Sequence, residues 1–289
     1  MPYFTQQENQ CGPAALATLL VHRGIDVNVE QLNQQLYIPA KGGSLAIELK
    51  AQARQYELLA YVIEPDIFSL LSELNAGNPV IVMQNLGFEW MPKWHFAVAV
   101  GYDLEHEQIR LRSADSRLYE ASLGLFIKTW QRANQWAMVV MPADQMPATA
   151  TPKPYLKAAN ELEQVGHALA AQQAYNSALL KWDNNNSALI GMGNTHFALG
   201  NFQLASQYFG HFIKQGSDPA IGWNNLAFSL EKYGCITAAQ QAVECAVELA
   251  PQQTFYATSM KEILQLTSAK EKQTDHNRCP KIDCPALPL

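Results

Sequence analysis

Cys11 is the residue best placed to do chemistry in this chain. It stands in Gln6-Gln7-Glu8-Asn9-Gln10-Cys11-Gly12-Pro13-Ala14-Ala15-Leu16, at the head of a run to about Arg23 whose leucines and alanines predict a buried helix. A thiol at a helix N-terminus meets free N–H groups and the positive end of the macrodipole, which favour the thiolate. The thiolate is the nucleophile for acyl transfer. Gln6, five residues upstream, is placed to project the amide donor that an oxyanion hole needs. Trp94-His95-Phe96-Ala97-Val98 puts a histidine at the start of an apolar strand, and Ser113-Ala114-Asp115-Ser116 follows the next strand with an acid to orient an imidazole. Cysteine, then histidine, then an acid 20 residues later is one chain order of a nucleophile–base–acid triad. Each residue alone has a plainer reading: a buried structural cysteine, or a histidine closing a strand. Asp103, near the end of the His95 strand, is a rival acid.

Several elements must position these groups. Ser44 to about Tyr56 predicts a second helix with Ser44 as N-cap, and Asp66 to about Asn75 a third, capped by Asp66. Strand-like runs follow at 79–83, 95–100, 108–112 and 136–140. Helices first and consecutive strands after predict an α+β domain with a mainly antiparallel sheet over residues 1–142. Trp90 and Trp94 bracket the approach to His95, as core or as a wall of a substrate cleft; Trp94 is the substrate-binding candidate. Gly42-Gly43-Ser44 is a turn, since it lacks the Lys-Ser/Thr pair of a phosphate loop.

Residues 143–154 carry three prolines and no periodicity, and predict a linker. Beyond it the pattern is helical and repeats every 34 residues. Gly166, Gly200 and Gly234 recur at one offset, Ala171, Ala205 and Ala239 at a second, and Tyr175, Phe209 and Val243 at a third. This pattern resembles the tetratricopeptide repeat, and implies an all-α superhelix of three repeats plus a capping helix over 155–267. Asn194, Asn224 and Asn225 are candidates to grip a bound peptide backbone, the alternative being solvated surface. Residues 268–289 are expected to be a flexible tail.

At 289 residues the chain has room for two domains. Its net charge of −6 gives no footprint for nucleic acid. No apolar run is long enough for a transmembrane helix. The start, Met1-Pro2-Tyr3-Phe4, lacks the basic and apolar regions of a signal peptide, so the expected compartment is cytoplasmic. A periplasmic or membrane-anchored protein is the alternative if an upstream export signal is missing. The five cysteines do not space as a disulfide framework; Cys279 and Cys284, in a Pro-rich tail, could pair with each other if the protein is exported, and the sequence leaves that pairing open. His276, Cys279 and Cys284 lack the paired spacing of zinc ligands, and no metal or cofactor is expected.

Gln6, Cys11-Gly12-Pro13-Ala14-Ala15-Leu16, His95-Phe96-Ala97-Val98 and Asp115 together resemble the bacteriocin-processing double-glycine peptidases, a family within the papain-like cysteine peptidase fold. With its repeats the chain resembles the stand-alone bacterial branch of that family. The resemblance covers residues 1–142 and implies Cys11 as nucleophile, His95 as general base and acid, Asp115 as orienting acid and Gln6 as oxyanion donor. Many members place the glutamine six residues before the cysteine and an aspartate before Cys-Gly; here the glutamine is five before and Gln10 takes the aspartate's place. Transporter-fused members carry a membrane span and a nucleotide-binding domain that this chain does not, so a role in bacteriocin export does not carry over. The expected function is a cysteine endopeptidase acting on a peptide or protein recruited by the repeats, with glycine near the cleavage position. A peptidase-like binding module and a non-proteolytic acyl transferase are the alternatives.

Overall fold

The computed structural model describes residue 4 and residues 10–113, 116–216, 218–268 and 279–284. It divides into two compact units, Met1–Val165 and Gly166–Leu289.

The first unit opens with α1 (Cys11–His22), α2 (Val29–Leu36) and α3 (Ala46–Gln55). Every residue of α1 from Gly12 to Leu20 is buried. Gly12 is small for a reason: a Cβ there would lie 2.7 Å from the Ser44 Cβ. Ser44 therefore packs on the start of α1, and Leu45 rather than Ser44 is the N-cap of α3. The remaining elements are β1 (Leu58–Val62), α4 (Ile67–Asn75), β2 (Val80–Asn85), β3 (Trp94–Asp103), β4 (Gln108–Ser113), β5 (Ser116–Ser122), α5 (Leu123–Gln131) and β6 (Ala137–Pro142). As expected, Asp66 caps α4, accepting from Ser69 N–H at 2.9 Å.

The six strands form one antiparallel sheet in the order β1-β6-β2-β3-β4-β5. Alternation along the strands sorts their side chains. Leu58, Ala60, Ile81, Phe96, Val98, Met138 and Val140 join Leu16, Leu19, Leu20, Leu32, Leu36 and Leu49 in one apolar core beneath α1–α3. Gln84, one residue off that register, faces α5, where its amide donates to Thr129 Oγ1 at 2.6 Å. This is the α+β architecture the sequence predicts, with α1 as its central helix.

Part of the linker is clamped rather than loose. The wholly buried Glu73 accepts from Thr149 N–H, Thr149 Oγ1 and Ala148 N–H, at 2.8, 2.6 and 3.2 Å. Next comes α6 (Pro152–Gln164), which packs on β1 and whose Glu161 pairs with Lys50 at 2.7 Å and Arg54 at 3.0 Å. These ion pairs explain why α6, the opening helix of the sequence repeat, belongs to the first unit.

The second unit is helical: α7 (Ala168–Lys181), α8 (Asn186–Ala198), α9 (Phe202–Gln215), α10 (Pro219–Tyr233), α11 (Ile236–Leu249) and α12 (Thr254–Ser268). No strand occurs beyond residue 160 among the described residues. Each helix packs on the next in the chain. The helices α7, α9 and α11 begin 34 residues apart, and Gly200 and Gly234 turn the chain ahead of the last two with φ of +78° and +92°. Gly191 and Gly193 of α8 leave no room for a Cβ against the rings of Tyr175 and Phe209, so helix approach here is set by glycine.

The cysteines correct the sequence expectation. Cys279 and Cys284 do not pair with each other. Cys279 is bonded to Cys235, the N-cap of α11, and Cys284 to Cys245 within α11. Residues 279–284 are thus fastened along α11, with Cys279 and Ile282 packed on the core of the unit, and this part of the tail is not free. An extended stretch of five residues spans about 16 Å, and ten residues of helix rise about 15 Å, so the two crosslinks match in length. The partners lie 44 and 39 residues apart, which is why cysteine spacing within the tail did not disclose them.

Candidate active site

Cys11 is the first residue of α1 and the free cysteine of the described residues. Packing of α1 on β3 brings its thiol to the backbone N–H of Phe96. His95, the residue before Phe96, is the second residue of β3. Thiol and imidazole therefore flank one peptide unit. They do so from different sides: Phe96 belongs to the core beneath α1, whereas His95 lies opposite Gln84, the residue that faces α5. Among the described residues no hydrogen bond joins the thiol to the ring. The imidazole Nε2 instead pairs with Ser113 Oγ at 2.6 Å.

Burial controls the protonation of both groups. It pushes the Cys11 thiol above its ordinary value, against the backbone N–H groups of Phe96, Gly12 and Cys11 itself, which pull it down. The expectation of a thiolate stabilised by the helix N-terminus is thereby corrected: the N–H groups act in the expected direction, and desolvation outweighs them. Burial, with the Lys93 charge as a smaller cause, pushes His95 down to about 4. At neutral pH the site holds a thiol and a neutral imidazole.

The loop entering β3 is built around Asn85. Its buried side chain accepts from Gly87 N–H and Lys93 N–H, both at 2.9 Å, and donates to the Phe88 carbonyl at 3.4 Å. Arg132 also donates to the Gly87 carbonyl at 2.8 Å. This frame displays Phe88, Trp90, Met91 and Trp94 to solvent, with Phe88 and Trp90 stacked. Trp94 is 54% exposed and Trp90 78%, so neither is core; Trp94 directly precedes His95 on β3, and Trp90 stands in the loop that leads into it.

Asp103 is not the partner of His95. Its carboxylate takes the His106 backbone and ring at the far end of β3 and lies 3.8 Å from Arg110. Gln6 and Asp115 lie outside the described residues. Ser113 is the group that sequence reasoning passed over, although it stands two residues before Asp115. Its signal is positional: Val98 pairs with Arg112, which sets Ser113 diagonally across from His95.

In the second unit Asn225 donates to Asn194 at 3.3 Å, and Asn224 to Asn225 at 3.2 Å. Asn194 and Asn225 line a cavity of about 390 Å³ with Phe197, Phe209, Phe228, Lys232, Glu262 and Leu266. Asn224 is buried and does not line it.

Residues 1–138 match the Peptidase_C39-like family. Three solved structures are similar to part of the chain. One is a C39-like peptidase from Bacillus anthracis, with 19% identity over 50% of this chain and 95% of that one, and a TM-score of 0.44. Another is a double glycine motif protease from the AMS/PCAT transporter in complex with the leader peptide, with 20% identity, coverage of 49% and 91%, and a TM-score of 0.37. The third is the peptidase domain of Streptococcus ComA, a bifunctional ABC transporter of a quorum-sensing pathway, with 21% identity, coverage of 48% and 96%, and a TM-score of 0.39. No curated protein matches the chain. No helix of the described residues is long and apolar enough to cross a membrane.

Proposed function

We propose that the chain is a cysteine peptidase in which Cys11 is the nucleophile and His95 the base. The observation that carries this reading is the Cys11 thiol at the head of a buried helix, set against the peptide that joins His95 to Phe96. His95 takes the thiol proton as sulfur bonds to the substrate carbonyl carbon. The amine then leaves with that proton, and water hydrolyses the thioester. Because both groups rest neutral, proton transfer accompanies attack. Catalytic hydrogen bonds are commonly long in a site without substrate. Gln6 is proposed as oxyanion donor and Asp115 as an acid of the site, on the resemblance alone. Trp94 is proposed as a wall of the substrate cleft, with glycine favoured near the scissile bond.

Residues 155–267 are proposed to be three tetratricopeptide repeats plus a capping helix, with α6 opening the first and α12 as the cap, that recruit the substrate or another protein. The cavity holding Asn194 and Asn225 supports this, since paired amides beside three phenylalanines suit an extended peptide. The two disulfides favour a compartment in which oxidised dithiol partners accept the cysteine hydrogens, and so the exported alternative over the cytoplasm.

A second reading has a specific observation in its favour. The missing thiol–imidazole hydrogen bond suits a peptidase-like module that binds peptides without cutting them. Hydrolysis of a library of glycine-containing fluorogenic peptides decides between the two. The peptidase reading expects turnover that Cys11→Ala abolishes; peptide binding with no turnover in the unmodified chain would establish the module.

A further inference from the structure

We propose that Ser113 is the positioning residue of His95: its hydroxyl oxygen accepts from the Nε2–H, fixes that tautomer and leaves Nδ1 as the nitrogen that receives the Cys11 proton. This rests on the peptidase reading of the same site.

The geometry is that of a short, partly buried hydrogen bond, 2.6 Å from Nε2 to Oγ. It is the hydrogen bond of the His95 ring among the described residues. A neutral imidazole has one N–H and one free lone pair, so the partner of one nitrogen decides the role of the other. If Ser113 donated its proton to Nε2, the hydrogen would sit on Nδ1 and the ring would have no lone pair left for the thiol. With Ser113 accepting, the lone pair stays on Nδ1. The chain also departs from regular pairing where this is needed: the β4–β5 register shifts between Leu111 and Ser113, a local irregularity of the kind that re-aims a strand side chain.

A hydroxyl differs from a carboxylate in this position. It fixes the ring without supplying a negative charge to hold an imidazolium, in keeping with a His95 held near 4 by burial. Ser113 therefore orients the base and leaves it neutral.

Two-bond proton–nitrogen correlation spectra of the full-length protein labelled with 15N-histidine test this above pH 7. The His95 signals are identified by their loss in His95→Gln. The expected wild-type ring is the Nε2–H tautomer, kept in Ser113→Thr and replaced by a tautomeric mixture in Ser113→Ala. Loss of Cys11 acylation in Ser113→Ala, restored in Ser113→Thr, is the expected kinetic counterpart. A wild-type Nδ1–H ring would overturn the proposal. So would an unchanged tautomer in Ser113→Ala, and a shift seen only in Asp115→Asn would transfer the role to the acid. The spectra read the ring whether or not any peptide is cut. Failure of the peptidase reading would appear separately, as absent turnover with the expected tautomer.

Discussion

The Cys11 thiol lies in hydrogen-bond reach of the backbone N–H of Phe96, the residue that follows His95. The contact ties the helix carrying the thiol to the strand carrying the imidazole through main chain. Strand position rather than side-chain contact thus sets their relation, and each group can stay neutral in its own buried surroundings.

The first consequence concerns Cys11 reactivity. Burial raises the thiol above its ordinary value. Alkylation by iodoacetamide in the absence of substrate should therefore keep rising with pH beyond about 8.5, the value of an unperturbed cysteine. A rate already on a plateau between pH 5 and 8 would reveal a preformed thiolate–imidazolium pair.

His95 carries a stability signature. Its folded-state value is about 4 against an ordinary 6.5. Between those values the unfolded chain binds the extra proton, so the contribution is full above about pH 6.5 and is lost as pH falls toward 4. Urea midpoints at pH 7.5 and 4.5 should differ less in His95→Gln than in the wild type. Part of the loss should remain in the variant, because burial also lowers His22 and His196.

Thiol counting tests the strap along α11. Denatured protein purified without reductant should take up one maleimide, at Cys11, and five after reduction. Reduction should lower the melting temperature, since closing a 44-residue loop stabilises by about 4 kcal/mol on chain-entropy grounds. The interleaved second loop adds less. Cys235→Ser and Cys279→Ser should be equally destabilising, and no worse together.

Packing within the helical unit gives a direct test. Gly191→Ala drives a methyl into the Tyr175 ring between α7 and α8 and should cost about 1–3 kcal/mol. A thermal melt should show it, whereas Gly210→Ala, with open space at its Cβ, should not destabilise by overlap.

Much of this architecture was legible in local pattern. The buried run from Gly12 to Leu20, the Asp66 cap and the 34-residue spacing of helix starts all follow from short-range periodicity and turn chemistry. What escaped depends on long-range register or on competing energies. The Cys235–Cys279 and Cys245–Cys284 pairs join positions about 40 residues apart, and no spacing rule selects them. Ser113 meets His95 because β3 and β4 pair in one register rather than its neighbour. The thiol was misjudged because the helix N-terminus is visible in sequence and the desolvation opposing it is not. The α6 assignment turned on Glu161 meeting Lys50 and Arg54.

On the proposed mechanism Cys11 attacks a carbonyl with His95 as its base. Intact-mass spectrometry of the full-length protein treated with a peptidyl electrophile ending in glycine measures this most directly. A single adduct on Cys11 is expected in the wild type, none in Cys11→Ala, and a severely slowed reaction in His95→Ala. An unmodified wild type, or the same adduct formed equally fast in His95→Ala, would contradict that mechanism.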